Sequence, residues 1–180
     1  GTGEAMNRDG ICCAFTGEVL GLSYSYGEAF YKAQEATQSR LPLEGTVLIS
    51  VNRKDKAEVV EVAQAFADAG FHIVATGNTC SLIREAGIEA EKVNKLYEGR
   101  PNILDLITNG KIQLVVNSPV GKESVHDDSY LRKAAIKAKI PYMTTIAAAL
   151  ATAHGIKYVK DHGNGDVKSL QELHSEIKAK

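Results

Sequence analysis

An α/β fold in three layers, with helices on both faces of a mostly parallel sheet of about five strands, is predicted here from three observations. Short apolar runs alternate with segments whose apolar residues return at helical spacing. Glycine or Asn-Gly closes several of the helical segments just before the next apolar run. No repeat with a period of about 20–50 residues is present, which excludes a solenoid. Strands that alternate with helices pair in parallel, because a parallel pair needs a long crossover and the helix supplies it.

The first strand is "TVLISV" (46–51), followed by a helix over "DKAEVVEVAQAFADAG" (55–70) with Val59, Val60, Ala63, Phe66 and Ala67 on one face. Asp55 and Glu58 have capping-box spacing and Gly70 is a stop. "HIVAT" (72–76) is the second strand, and a helix runs from about Thr79 to Ala86, ending at Gly87. "KVNKL" (92–96) is the third, before a helix across 101–110 opened by Pro101 and closed by Asn109-Gly110. "IQLVVNS" (112–118) is the fourth and most continuous strand. The helix of 127–140 carries acids in its first turn and lysines in its last, as the helix dipole favours. "PYMTT" (141–145) is the fifth strand, and segments 146–155, 157–160 and 167–180 complete the sequence.

Residues 1–44 read differently from 45–180. "ICCAFTGEVLGL" (11–22) reads as extended segments around a Thr-Gly-Glu turn, and "GEAFYKAQEATQ" (27–38) as a helix with Ala29, Phe30, Ala33 and Ala36 on one face. Ser, Pro and Gly near 37–45 mark the boundary. So short a segment could hardly build its own core, so it is expected to lean on the main domain or to be the edge of a larger protein.

Composition narrows the function. With 21 Lys+Arg against 22 Asp+Glu there is no global basic field, so nucleic acid is not an expected partner. Any anion must be held locally. Cys12, Cys13 and Cys80 show neither a disulfide framework nor zinc spacing, and His126-Asp127-Asp128 reads as a helix start rather than a metal site. No metal is expected. No apolar run approaches the roughly 18 residues of a membrane span, so the expectation is a cytoplasmic protein without a membrane partner.

In parallel sheets ligands bind at the carboxyl ends of the strands. Those ends carry Ser50, Asn52 and Lys56; Thr76, Gly77, Asn78 and Thr79; Lys95; Asn117 and Ser118; and Thr144 and Thr145. Hydroxyls, amides and two lysines suit a phosphate monoester, and a Thr-Gly-Asn-Thr helix start offers backbone N–H groups to it. Taken singly, the threonines could be helix N-caps, the lysines solvated surface residues and Gly77 only a turn. Neither G-x-x-x-x-G-K-[ST] nor G-x-G-x-x-G is present, and "GNGD" (163–166) has no phosphate-loop context.

The segments "GTVLISVNRKDK", "GFHIVATGNTCSLIREAGI", "VNKLYEGRPNILDLITNGKIQLVVNSP" and "IPYMTTIAAALA" resemble the C-terminal regulatory domain of carbamoyl phosphate synthetase large subunits, in the methylglyoxal-synthase-like family. "FTGEVLGLSYSYGEAFYKAQEA" (15–36) is similar to the end of the preceding ATP-grasp synthetase domain, with Phe15 where serine is usual. The resemblance implies a five-stranded parallel sheet that binds uridine or inosine monophosphate as allosteric effector, with Lys56, Thr76, Gly77, Thr79 and Lys95 at the phosphate. It implies that Ser50, Asn117, Ser118 and Thr145 line the pocket, and that ornithine lies near Tyr142 and Thr144, where Met143 replaces a common acidic residue and Pro119 a common hydroxyl. It also implies no catalytic residue or cofactor here, with ATP and Mg or Mn in the parent ligase, and as partners the synthetase domains of the same polypeptide and a glutaminase small subunit. The pathways implied are pyrimidine and arginine biosynthesis.

Two enzymes are the alternatives. A methylglyoxal synthase acting on dihydroxyacetone phosphate needs a general base, which that family supplies as aspartate after the fourth strand; Asn117 and Ser118 stand there. The related cyclohydrolase domain of purine synthesis shares the glycine turn but is longer, with downstream motifs that this sequence lacks.

Overall fold

The computed structural model describes residues 4–6, 12–15, 20–37, 40–52, 55–118, 125–163, 171–172 and 175. In sequence order it contains β1 (Glu4–Met6), β2 (Cys12–Phe15), β3 (Leu20–Ser23), α1 (Tyr26–Ala36), β4 (Thr46–Ser50), α2 (Val59–Asp68), β5 (His72–Thr76) and α3 (Gly77–Glu85). These are followed by β6 (Glu91–Val93), α4 (Ile103–Thr108), β7 (Leu114–Asn117), α5 (Val125–Lys137), β8 (Tyr142–Met143) and α6 (Ile146–His162). The Thr-Gly-Glu turn at 16–18, Pro119 and 164–166 of the "GNGD" turn lie outside the described residues, as does most of the 167–180 helix.

The main sheet runs β6-β5-β4-β7-β8, parallel throughout. Side chains alternate across a strand, so each strand feeds two cores. Val47, Ile49, Ile73, Ala75, Leu114 and Val116 pack with α2, α3, α6 and α1. Leu48, Val74 and Val115 point the other way, into a smaller cluster with Ile103 and Ile107 of α4 and Leu131 and Ala135 of α5. Hence the three layers.

Helix ends follow their glycines. Gly70, Gly87 and Gly110 close α2, α3 and α4 at positive φ, each with the residue after it bonded back into the last turn. α5 ends in the same way on Lys139, at φ 55.

Several boundaries differ from the sequence reading. Segments 146–155 and 157–160 are one helix, α6, running straight through Gly155. That glycine is there for packing: a Cβ would lie 2.7 Å from the carbonyl oxygen of Gly27 in α1. The 55–70 helix is split into a 3-10 turn, Asp55–Ala57, and α2. Asp55 and Glu58 form no capping box; Glu58 makes no side-chain cap bond, and Asp55 is held by Asn52, which accepts its N–H and donates to its carboxylate. The capping box belongs to α4, between Asn102 and Asp105, with Pro101 just before it. Ala36 is exposed, Val60 and Ala67 are half-buried, and α1 instead buries Glu28 and Tyr31 beside Ala29, Phe30 and Ala33. The third and fifth strands shrink to β6 and β8.

Residues before Thr46 do not stand apart. β1, β2 and β3 form an antiparallel sheet, and α1 lies between it and α6. Ala29, Phe30, Tyr31, Ala33 and Leu41 join the larger core. Among the described residues no helix is long and apolar enough to cross a membrane.

Candidate functional site at the carboxyl edge

After β4 the polypeptide moves to β5 and β6 on one side, and later β7 and β8 fill the other. The β4/β7 pair is therefore where the strand order reverses, and such a reversal opens a crevice at the carboxyl ends. Register sets its floor: Ser50 pairs with Asn117, and Thr76 follows the Ala75 that pairs with Ile49.

Hydrogen bonds join these ends. The Thr76 hydroxyl donates to Ser50 Oγ at 3.1 Å, Ser118 N–H to the Ser50 carbonyl at 3.1 Å, and Asn52 N–H to Ser118 Oγ at 3.0 Å. Asn117 Nδ2 donates to the Tyr142 hydroxyl at 2.6 Å. Among the described residues, seven polar or charged side chains are buried, and Thr76, Thr79, Asn117 and Ser118 are four of them. Burying a polar group costs free energy unless it is bonded, so a concentration of such groups at one edge marks it as built for polar contact.

The start of α3 adds donors. Thr76 is its N-cap with extended backbone, yet its hydroxyl goes to Ser50 and makes no cap bond. The first-turn N–H groups of α3 therefore have no side-chain cap, and a helix start of this kind attracts an anion. Gly77 has φ 40, and the space that a Cβ would occupy is open. The helix begins at Gly77 rather than Thr79, and Thr79 is buried within its first turn.

The "VNKLYEGRPN" stretch is a loop closed at its neck. Asn94 bridges Asn102, Ile103 N–H donates to the Asn94 carbonyl, and the Asn102 side chain caps α4. Lys95 stands two residues beyond Val93, the partner of Thr76, at the same edge. Its N–H donates to the Glu98 carboxylate at 2.9 Å, and its ammonium lies 5.9 Å from the centre of the Tyr97 ring.

The remaining predicted residues fall as follows. Lys56 is the middle residue of the 3-10 turn after β4, and its side chain lies outside the described residues. Thr144 and Thr145 are exposed; Thr145 caps α6, accepting from Ala148 N–H at 3.2 Å. Tyr142, expected at an ornithine site, is joined to Asn117 instead of standing apart from the pocket set. Asn52, carried by the strand-end pattern but left out of the predicted pocket, ties Ser118 to Asp55. Among the described residues no cluster of His, Cys, Asp or Glu could hold a metal.

A cleft of about 380 Å³ opens at the opposite, amino edge of the sheet, lined by Arg40, Pro42, Ile112, Lys139 and Ile140 among others. Gln113 crosses it with its amide already engaged, accepting from Thr46 N–H at 2.7 Å and donating to the Gly110 carbonyl at 3.0 Å.

Comparison with known proteins agrees with this architecture. A family model for an MGS-like domain matches residues 58–144. A carbamoyl phosphate synthase large chain of Methanothrix thermoacetophila is 43% identical over 163 residues, 91% of this chain and 15% of that protein. The large chain of Acidobacterium capsulatum is 48% identical over 160 residues, covering 89% of this chain and 14% of its own length. From Methanopyrus kandleri, a C-terminal section of the large chain is 47% identical over 160 residues, 88% of this chain and 29% of that section. This chain thus spans less than a third of the length of each of these three relatives. A solved methylglyoxal synthase of Elizabethkingia anophelis NUHP1 has the same fold, with a TM-score of 0.51 and 21% identity over 61% of this chain and 76% of that one. Residues 58–144 thus match an MGS-like domain, and about nine-tenths of this chain is similar to part of the carbamoyl phosphate synthase large chains.

Proposed function

We propose that this protein is the effector-binding end of a carbamoyl phosphate synthase, taking a nucleoside monophosphate of the uridine or inosine type at the carboxyl edge and regulating the ATP-dependent synthetase. The observation that carries the reading is the uncapped start of α3 beside the bonded Ser50, Thr76, Asn117 and Ser118. Neutral donors and a helix start suit the phosphate, and Lys95 and Lys56 bring charge from adjacent loops. Ornithine near Tyr142 and Thr144, a glutaminase small subunit, ATP with Mg or Mn in the synthetase part, a cytoplasmic location and roles in pyrimidine and arginine synthesis belong to the same proposal.

The site favours binding over chemistry. Asn117 stands where a methylglyoxal synthase would need its base, and an amide that donates to Tyr142 takes no proton. Losing a positioned base typically costs about 10²–10⁴-fold in rate. Calorimetric titration of the protein with uridine monophosphate, inosine monophosphate and ornithine tests the proposal: saturable nucleotide binding is expected. Methylglyoxal formed from dihydroxyacetone phosphate, with no nucleotide bound, would reverse it.

A further inference from the structure

We propose that the cleft at the amino edge is a second ligand site, which takes a small organic acid: a carboxylate between Arg40 and Lys139, with a short apolar body on the floor beside them. The site is independent of the carboxyl edge, because it lies at the other end of the strands. Three segments that each lead into a strand enclose it: Arg40 to Pro42 before β4, Gly110 to Gln113 before β7, and Ala138 to Pro141 before β8. Its volume of about 380 Å³ lies within the range of roughly 300–1,000 Å³ usual for small-molecule sites.

The lining selects the chemistry of the guest. Leu41, Ile107 and Ile112 are buried and Ile140 and Pro141 half-buried, which makes the floor apolar. Polar backbone groups around it are already engaged: Ile140 N–H donates to the Ala135 carbonyl, Gln113 N–H to the Thr46 carbonyl, and the Pro141 carbonyl accepts from Val115 N–H. The Gln113 amide is engaged at both ends as well. A polyhydroxylated guest would lose its water there without matching hydrogen bonds. What the cleft offers instead is charge. Arg40 and Lys139 are both exposed, no Asp or Glu lines the cleft with them, and neither forms an ion pair among the described residues. Two cations brought to one cleft repel each other until an anion lies between them, and a guanidinium fork matches a carboxylate.

The backbone supplies a second, independent observation. Lys139 has φ 55, and among the described residues it is the one non-glycine residue in the left-handed region. α2, α3 and α4 end on glycine at the corresponding place, Gly70, Gly87 and Gly110. Glycine enters that conformation freely, whereas the Cβ of a lysine is crowded against its own backbone. The helix dipole does not call for this lysine, because Lys137 already places a cation in the last turn of α5. A side chain kept where glycine would sit more easily points to a role for the side chain itself, and here that side chain lines the cleft.

Calorimetric titration of this protein with octanoate, one carboxylate on a short apolar chain, tests the proposal, with octanol as the neutral control. Octanoate should bind saturably at one site, and octanol at least about tenfold more weakly, the low end for a hydrogen bond to a charged group. Arg40→Ala and Lys139→Gly should each weaken octanoate binding by about tenfold or more. Lys139→Gly should do so without lowering the denaturant midpoint, because glycine suits the turn. A lysine that serves only the fold would give the reverse, a lower midpoint with affinity kept, and that result overturns the site. So do octanoate that fails to bind, octanol that binds as tightly, and full octanoate affinity in either variant.

Discussion

Two polar clusters share this domain, and they differ in where their charge comes from. At the carboxyl edge Ser50, Thr76, Asn117 and Ser118 are neutral, and on the proposed reading the charge arrives with a bound phosphate. At the α1–α6 joint the cluster is built around a carboxylate of its own, Glu28, with its donors already in place. On that reading the first receives a charge, whereas the second holds one it already carries. Convergence of polar residues alone therefore does not mark a binding site. What separates the two is whether a formal charge already completes the hydrogen bonds.

The strongest way to break the comparison is to force the joint apart. Gly155→Val places a side chain against the Gly27 carbonyl and 3.5 Å from Tyr31 Cβ, where there is no room. Overpacking of this kind costs about 1–3 kcal/mol, read as a lower denaturant midpoint at unchanged slope. His154→Ala, one residue away and exposed, should be near neutral. Equal stability of the two variants would mean that the helices do not meet at Gly155.

The matching test at the carboxyl edge affects affinity rather than stability. Lys95→Ala removes an ammonium that lies near the Tyr97 ring and pairs with no buried carboxylate among the described residues. Unfolding should hardly change. Nucleotide binding should weaken by roughly ten- to hundredfold, since a hydrogen bond to a charged group contributes about 1.5–3 kcal/mol. Lys32→Ala, which strips Glu28 of its ion pair, should give the opposite pattern, with stability lost and affinity kept. A swapped outcome would exchange the roles of the two clusters.

The sequence discloses the edge more readily than the joint, for a physical reason. Apolar runs, closing glycines and the residues after each run are local signals, so the parallel strands and Ser50, Thr76, Asn117 and Ser118 are all legible from short windows. Which strand neighbours which is not local. The β4/β7 reversal that brings Ser50 to Asn117 joins residues 67 positions apart. Glu28 is harder still. Its spacing to Lys32 reads as an ordinary surface pair on a helix, whereas its burial becomes visible only in the fold. Gly155 misleads in the same way. Inside a periodic segment it looks like a helix stop, because nothing nearby shows that Gly27 approaches it.

The smallest expected effect concerns how the joint holds its charge. Burial alone would raise the pKa of Glu28, but the Ser23 hydroxyl, Lys32 and the Tyr158 hydroxyl outweigh it and bring the carboxyl below its ordinary 4.5. A lowered folded pKa means that the ionised form stabilises the fold, fully above about 4.5 and progressively less as pH falls through the folded value. Burial and the Glu28 charge raise the Tyr158 phenol above 10.0, so its stabilising contribution is present below that and fades as pH climbs through the raised value. The joint should therefore be at full strength on a plateau between those two pH values. Glu28→Gln keeps the shape and removes the charge, so its deficit against the unaltered protein should be constant across the plateau and shrink below pH 4.5. A deficit as large at pH 3 as at pH 7 would show that the charge of Glu28 is not what stabilises the joint. The contrast between a cluster that keeps its own charge and one that awaits a guest's would then rest on the carboxyl edge alone.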